Sequence, residues 1–265
     1  MKNQVTVITG ASQGIGAATA NRLAKVGHPV VAIARNAEKL KHLCEEINFS
    51  GGQADYLVQD LSKTEELPEL VDKLKAQFGS INSLVLNAGF SFSKLFEETN
   101  HEEREYEFKL NYFAPSLLIE LLLPQMVKQQ DSHIVAVGSL TGLIPFPGNA
   151  NYAASKAALY TLFRNLRIEL ADQPIHIGMV LPGFTKTGLT KDLDTMLPAS
   201  SPDNIAQSVH YCLKHNVDFT IPGLENNLIH FLERLDPRLM DKFTSLFGRH
   251  LVPGLDQSIK ERSLQ

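Results

Sequence analysis

Residues 5–16 read Val5-Thr6-Val7-Ile8-Thr9-Gly10-Ala11-Ser12-Gln13-Gly14-Ile15-Gly16, and this stretch decides the fold. Its first five residues are β-branched and mostly apolar, which is typical of a central strand in a parallel sheet. A glycine-rich turn follows, and the segment 17–26 then has a helical pattern that ends at Gly27. Strand, glycine-rich turn and helix in this order form a phosphate cradle, because glycines let the backbone approach closely and the helix N-terminus presents free N–H groups.

The glycines are spaced GxxxGxG rather than GxGxxG, and a glycine-rich turn alone is a weak signal. Its position directly after an N-terminal strand favours dinucleotide binding over a plain turn. The candidate cofactor residues of this turn are Gly10, Ser12, Gln13, Gly14, Ile15 and Gly16.

Further strand patterns alternate with helical patterns along the chain. Strands are predicted at 29–34, 54–59, 81–86, 133–138, 175–181 and 217–221, and helices at 36–48, 67–78, 102–130, 149–171 and 202–215. The long helical stretch 102–130 is expected to break near 111–115. This alternation predicts an α/β fold, a doubly wound parallel sheet of the Rossmann type covered on both faces. We expect one domain over residues 1–222, with a C-terminal helical segment, 223–265, packed on it.

The end of the second predicted strand carries Ala34 and then Arg35. An acidic residue there would bind a ribose 2′-hydroxyl and favour NAD, whereas an Arg can contact a 2′-phosphate. The sequence therefore predicts a preference for NADP(H), the alternative being that Arg35 is a solvated loop charge. Asp60, after the third strand, could bind the adenine amino group or cap the segment that begins at Ser62.

A loop broken by prolines joins the strand that ends before Ser139 to the helix that carries Tyr152 and Lys156. A spacing of four residues places the phenol and the ammonium on one helical face. We expect the ammonium to lower the pKa of Tyr152 towards neutral, which suits proton transfer at a carbonyl or alcohol oxygen. The alternative is an ordinary surface pair.

Composition narrows the function classes. A net charge of −4, with 43% hydrophobic and 20% charged residues, gives no sign of nucleic-acid binding. The two cysteines, Cys44 and Cys212, lie outside any CxxC motif, which fits a reducing compartment and a cytoplasmic protein. The histidines show no ligand spacing, so no metal site is predicted. The apolar run 117–123 contains Glu120 and is too short to span a bilayer, and the N-terminus does not read as a signal peptide.

Six motifs together resemble the short-chain dehydrogenase/reductase family. They are Thr9-Gly10-x-x-x-Gly14-Ile15-Gly16, Asn87-Ala88-Gly89, Asn111, Ser139, Tyr152-x-x-x-Lys156 and Pro182-Gly183-x-x-x-Thr187. They occur in the family's order and spacing from the first strand to about residue 222. The resemblance implies hydride transfer between a nicotinamide cofactor and a ketone, aldehyde or alcohol.

The resemblance also implies a role for each matching residue. Tyr152 would be the general acid or base, Lys156 would lower its pKa and bind the nicotinamide ribose, Ser139 would polarise the carbonyl, and Asn111 would hold a water in a proton relay. Further cofactor contacts would come from Asp60, Leu61, Asn87, Ala88, Gly89, Pro182, Gly183, Thr185 and Thr187. Thr185 stands where the family often has an aliphatic residue, which leaves a backbone contact possible.

Three segments are candidates for contacts with a second subunit or with the substrate. The apolar face of 117–126 exceeds what a helix that covers a sheet normally exposes. The family resemblance implies homodimer or homotetramer packing there, with packing in the protein's own core as the alternative. Residues 184–198, with Met196 and Leu197, are predicted to form a substrate lid. Residues 224–247 are predicted to be two amphipathic helices hinged near Asp236-Pro237, which could cover an apolar substrate, dock on a partner subunit or, as the least favoured choice, lie on a membrane surface.

The sequence thus predicts an NADP(H)-dependent oxidoreductase that acts on a carbonyl or alcohol. The apolar C-terminal segment favours a lipid, steroid-like or 3-oxo substrate. One alternative is a cofactor-binding regulatory or scaffold protein of the same fold. Another is an enzyme that uses the cofactor for epimerisation or dehydration. The set of Ser139, Tyr152, Lys156 and Asn111 argues against a pure binder, which has no need of a proton relay.

Overall fold

Seven parallel strands form one sheet in the computed structural model, which describes residues 5–188 and 199–251. Their order is β3-β2-β1-β4-β5-β6-β7. The strands are β1 Val5–Thr9, β2 Val30–Ala34, β3 Ala54–Val58, β4 Ile81–Leu86, β5 Ser132–Val137, β6 Ile175–Val180 and β7 Phe219–Thr220. The order reverses between β1 and β4, and a crevice therefore opens where these two strands end, which is where such sheets bind ligands.

Nine helices connect and cover the strands in the described residues. They are α1 Gly14–Lys25, α2 Ala37–Phe49, α3 Leu67–Phe78, α4 His101–Phe108, α5 Ala114–Met126, α6 Ala150–Glu169, α7 Pro202–His215, α8 Leu224–Leu235 and α9 Pro237–Leu251. The predicted doubly wound α/β fold is confirmed.

Alternate residues of each central strand pack into two separate cores. Val7 of β1 faces a core that includes Leu74, Leu122 and Phe163, whereas its neighbour Ile8 faces the opposite core. The second core contains buried residues of α1, α2 and α7, among them Leu23, Leu40, Ile47, Ile205 and Val209. Burial on both faces explains why the strands read as continuous apolar runs rather than alternating ones.

The sequence placed the start of the first helix three residues too late. Helix α1 begins at Gly14, inside the glycine-rich turn, rather than at Ala17. Gly14 and Gly16 are poor helix formers, so propensity argued against them. The break predicted in the stretch 102–130 is confirmed as a single π-helical turn, Lys109–Phe113, between α4 and α5.

The apolar face of α5 is used largely by the protein's own core. Leu118, Leu122 and Met126 are almost completely buried, whereas Leu117 and Leu121 are partly buried. Core packing therefore accounts for most of the apolar excess noted in the sequence.

The two C-terminal helices have both a packed and an open side. Ile229 of α8 packs against the first core and Met240 of α9 is buried. The other side of the pair exposes a stripe of large apolar residues, namely Leu224, Leu228, Phe231, Leu235, Leu239 and Leu246. Throughout residues 5–188 and 199–251, every helix falls short of the length and apolar character that crossing a bilayer requires.

Candidate active site

The glycine-rich turn forms the floor of a groove at the end of β1. Gly10 and Gly14 have φ angles of 65° and 60°, a left-handed conformation that favours glycine. A Cβ atom on Gly14 would lie 3.4 Å from the Thr187 side chain. The residue before α1, Gln13, forms no side-chain cap. A narrow cleft below an uncapped helix N-terminus suits a pyrophosphate, so these residues fit a dinucleotide.

Asn87 fixes the two strands that flank the crevice. Its side-chain amide donates to the backbone carbonyls of Thr9 (3.0 Å) and Gly10 (3.1 Å). The Thr9 hydroxyl in turn accepts from the backbone N–H groups of Asn87 (2.9 Å) and Ala88 (3.1 Å). The Asn-Ala-Gly motif therefore holds the ends of β1 and β4 together, and Asn87 and Gly89 line both the groove and the neighbouring cavity.

Two cations lie at the far end of the groove. Arg35 donates to the Tyr106 hydroxyl (2.8 Å) and lies 3.9 Å from the Asp60 carboxylate. Lys39, on the first turn of α2, donates to the side chain of Gln13 at 2.7 Å. Lys39 was not among the candidate cofactor residues predicted from the sequence. Its position one helical turn after Arg35 was the signal that could have identified it. Both cations can meet a 2′-phosphate.

Asp60 makes the contacts expected if it caps the segment that begins at Ser62, which was the alternative to adenine binding. Its carboxylate accepts from the backbone N–H (3.0 Å) and the hydroxyl (2.8 Å) of Ser62. Asp60 and the buried Leu61 also line the groove, so contact with adenine stays a prediction.

Ser139 and Tyr152 come together at the end of β5. The Ser139 hydroxyl lies beside the Tyr152 phenol and favours its ionised form. The Ser139 oxygen also lies 2.8 Å from the Thr141 hydroxyl and accepts from the Thr141 backbone N–H at 3.2 Å. These contacts fix the rotamer of Ser139. The hydroxyls of Ser139 and Tyr152 can therefore reach the same substrate oxygen.

Lys156 lies buried beneath this pair. Its ammonium donates to the Val137 carbonyl (3.1 Å) and lies 5.7 Å from the centre of the Tyr152 ring. A Cβ atom on Gly89 would stand 3.2 Å from Lys156 Nζ and 3.3 Å from Asn111 Oδ1, so these two groups meet across Gly89. Only a glycine leaves both side chains undisturbed.

The predicted fall in the pKa of Tyr152 is contradicted. Burial raises the pKa of Tyr152 to about 12. The Ser139 hydroxyl lowers this pKa, but by less than burial raises it, and the charge of Glu107 adds a smaller rise. Burial also lowers the pKa of Lys156 to about 8. The expectation was wrong because it treated the pair as exposed, whereas removal from water disfavours the charged form of each group.

Asn111 lies at the centre of the π-helical turn. Its side-chain amide donates to the Phe90 carbonyl (2.9 Å) and the Ser155 hydroxyl (3.0 Å), and its carbonyl accepts from the Phe90 N–H (2.9 Å). Such turns occur frequently at functional sites, where they redirect a side chain. The relay role of Asn111 stays a prediction.

A cavity of about 350 Å³ opens beside Ser139 and Tyr152. Its apolar lining comes from the loop after β5 and from the C-terminal helices, and includes Leu140, Ile144, Phe146, Ile229, Met240 and Phe243. Pro182, Gly183, Thr185 and Thr187 line it as well. Of the predicted lid, residues 189–198, with Met196 and Leu197, lie outside the described residues.

The C-terminal contribution to this cavity was only hinted at by the sequence. Asn226 of α8 packs against Gly183 and donates to the Pro222 carbonyl (2.6 Å). Apolar density at 224–247 suggested a substrate cover, but helical spacing alone did not show which residues face inward. The described residues contain no group of His, Cys, Asp or Glu placed to hold a metal ion.

Comparison with known proteins adds to this geometry. The family model described as short chain dehydrogenase matches residues 4–198. The chain belongs to this family. As a short-chain dehydrogenase, it is 32% identical over 234 residues to an uncharacterised oxidoreductase of Listeria innocua, covering 83% of this chain and 94% of the relative. It is 33% identical over 193 residues to the 3-oxoacyl-[acyl-carrier-protein] reductase of Thermotoga maritima, covering 73% and 78%.

Solved structures of short-chain dehydrogenases have the same fold. A metagenomic oxidoreductase in complex with NADP is 31% identical and superposes with a TM-score of 0.73, covering 83% of this chain and 98% of the other. An alcohol dehydrogenase from Comamonas testosteroni, described as specific for bulky-bulky ketones, is 28% identical with a TM-score of 0.78, covering 91% and 95%. The dehydrogenase described here is therefore an enzyme that acts on CH–OH or C=O groups.

Proposed function

We propose that this dehydrogenase reduces an apolar ketone or aldehyde with NADPH, and oxidises the corresponding alcohol in reverse. The observation that carries the proposal is that Ser139 and Tyr152 lie side by side in the wall of an apolar cavity next to the dinucleotide groove. A phenol and a hydroxyl beside such a groove supply what carbonyl reduction needs besides the hydride.

Each catalytic residue has a distinct part in the proposed reaction. A nicotinamide cofactor held in the groove would supply the hydride that the carbonyl carbon accepts. Ser139 donates a hydrogen bond to the carbonyl oxygen and orients it towards Tyr152. Because its pKa is about 12, Tyr152 keeps its proton at neutral pH and gives it to the oxygen as negative charge develops there.

Lys156 stabilises the phenolate that Tyr152 leaves. With a pKa of about 8, its ammonium remains largely charged at pH 7, although it is buried. Asn111, which lies near Lys156 across Gly89, would hold a water through which a proton returns to Lys156 from solvent. Above about pH 8 the lysine loses its charge, so carbonyl reduction should decline there.

The preference for NADPH is part of the same proposal. Arg35 and Lys39 place two positive charges at the adenosine end of the groove, and no acidic residue follows Ala34. The NADP complex of the metagenomic relative supports this.

Replacing Arg35 with Ala should raise the KM for NADPH by about 10- to 100-fold, because one charge-assisted contact to a phosphate is lost. The KM for NADH should change little. Cofactor titrations of the two variants Arg35→Ala and Lys41→Ala test this, since Lys41 is exposed on the same α2 helix and pairs with Glu45 instead. Equal effects on NADPH and NADH would contradict the assignment.

The substrate is proposed to be bulky and apolar. The cavity wall includes the apolar side chains of Ile144, Phe146, Ile229, Met240 and Phe243. The ketone specificity of the Comamonas enzyme and the 3-oxoacyl activity of the Thermotoga enzyme support a substrate of this class.

The test is a panel of carbonyl compounds that runs from acetone to aryl ketones and 3-oxo thioesters, monitored by NADPH consumption. We expect kcat/KM to rise with apolar surface, and Phe243→Ala to reduce it selectively for the largest substrates. Activity confined to small polar ketones would contradict the proposed substrate class.

We also propose a cytoplasmic homodimer or homotetramer, with the segment 223–265 packed on the catalytic domain. The half-buried Leu117 and Leu121 of α5 and the exposed Phe113 before it offer an apolar surface to a second subunit. Light scattering should give a mass of at least twice 29.3 kDa.

A further inference from the structure

Glu107 of α4 is a buried acid without an assigned part in the reaction. It is 3% exposed, its carboxyl accepts from the Phe92 backbone N–H at 2.8 Å, and the Ser91 hydroxyl lies beside it. Glutamate is rarely this buried without a cationic partner, because an unpaired charge is costly away from water. Burial accordingly raises its pKa.

The neighbours of Glu107 lead into the catalytic cavity. Ser91 Oγ donates to Asn149 Oδ1 at 3.1 Å, and both residues line the cavity with Ser139 and Tyr152. The amide of Asn149 donates to the Pro147 carbonyl, which turns its oxygen towards Ser91. A chain of hydrogen bonds therefore runs from α4 through the loop after β4 to the start of α6.

The loop in this chain is held in an uncommon conformation. Ser93 has a φ angle of 53°, and its backbone N–H donates to Ser91 Oγ at 3.1 Å. A left-handed serine costs free energy and is retained where surrounding contacts fix it. Glu107 supplies such contacts to both Ser91 and Phe92.

The Ser91 hydroxyl has one proton to donate, and either the Asn149 oxygen or the Glu107 carboxylate can accept it. If Glu107 is protonated, it donates to Ser91, and Ser91 donates to Asn149, so every group is satisfied. If Glu107 is ionised, the Ser91 proton turns to the carboxylate, and the Asn149 oxygen faces the cavity without its donor. The protonation of one remote acid thus changes the surface that the substrate meets.

We propose that Glu107 is a positioning residue that controls, through Ser91, the orientation of hydrogen-bonding groups in the substrate cavity. This inference rests on the proposed function. The titratable groups that act on the chain are Glu103 on the same helix, which pairs with Lys94 at 2.6 Å, and Tyr152 of α6, whose pKa is raised mainly by burial and slightly further by the charge of Glu107.

The variant Glu107→Gln tests the proposal without removing the contacts. A glutamine accepts from Phe92 and donates to Ser91 at every pH, so it resembles the protonated acid permanently. In the wild type, the KM for an apolar ketone should rise about fivefold or more as the pH passes through the Glu107 titration, because the Asn149 oxygen then faces the bound substrate without a donor. In Glu107→Gln it should stay at its low-pH value.

The control is Glu105→Gln, since Glu105 is exposed on the same helix and lies 4.0 Å from Lys109. It should keep the wild-type pH profile. A Glu107→Gln enzyme whose KM follows the wild-type profile would overturn the proposal and leave the proposed function intact.

Infrared spectroscopy gives a second measurement that needs no turnover. The carbonyl band of a protonated carboxylic acid should titrate in the wild type and be absent from Glu107→Gln. In Ser91→Ala its midpoint should move to higher pH, because the ionised carboxylate loses a donor. If no carbonyl compound is reduced, the proposed function fails. An absent band, or an unmoved midpoint in Ser91→Ala, overturns the Glu107 chain itself.

Discussion

The variant Tyr152→Phe is expected to lose about 100- to 10,000-fold of the turnover of carbonyl substrates while it binds NADPH as the wild type does. The change removes one oxygen and keeps the ring. The Ser139 hydroxyl remains beside the substrate, but its proton is not activated by a nearby ammonium. Binding is retained because Tyr152 meets the reacting atoms rather than the adenosine end of the groove.

The matched control for this experiment is Tyr160→Phe. Tyr160 lies two turns further along α6 and packs against Phe219, with ring centres 6.0 Å apart. It does not belong to the cavity lining. Steady-state kinetics and a fluorescence titration with NADPH should separate the two variants. Similar activity in both would show that the proton comes from another group.

The variant Lys156→Met is expected to lower turnover by at least about 100-fold and yet to stabilise the protein. The activity falls because no charge remains to stabilise the Tyr152 phenolate. The stability rises because the ammonium is buried in the folded state. Its pKa of about 8, against an ordinary value of 10.5, means that this burial destabilises the folded wild type. A pKa shift of this size corresponds to about 3 kcal/mol in the free energy of unfolding. Loss of the hydrogen bond to the Val137 carbonyl reduces this gain by about 1 kcal/mol.

The pH dependence of this effect has a definite sign. Between about pH 8 and 10.5 the unfolded chain binds more protons at Lys156 than the folded chain does, so the wild type gains stability there as the pH rises. Below pH 8 both states are protonated, and the full penalty applies. The stability difference between Lys156→Met and the wild type should therefore be largest at neutral pH and shrink on going to pH 10.5.

Denaturant unfolding at several pH values measures this difference. Lys73→Met is the control, since Lys73 is exposed and pairs with Glu69. It should change the free energy of unfolding little at any pH. A Lys156→Met protein that is less stable than the wild type at pH 7 would mean that the buried ammonium is favourably solvated by its surroundings.

Local patterns were sufficient for the architecture of this enzyme. Residues 5–16 read as strand, turn and helix because central parallel strands are apolar on both faces and left-handed turns need glycine. The motif residues Ser139, Tyr152 and Lys156 converge because parallel strands end at one edge of the sheet. The sequence order of strands and helices thus predicted where the site lies.

Long-range burial was out of reach of the same patterns. The pKa of Tyr152 depends on the removal of water by residues far apart in the chain, and its predicted direction was wrong. Glu107 is one of several acids on a polar helix, and only the fold shows that it is buried beside Ser91 and Phe92. The inward-facing residues of α8 and α9 depend likewise on how the C-terminal helices dock.

The most direct test of the central claim, hydride transfer to a substrate carbonyl, uses NADPH labelled with deuterium at the transferable position and an apolar ketone from the panel. Mass spectrometry should find one deuterium on the carbinol carbon of the product and one NADPH oxidised for each alcohol formed. A product formed without net consumption of NADPH would contradict the account and indicate epimerisation or dehydration instead.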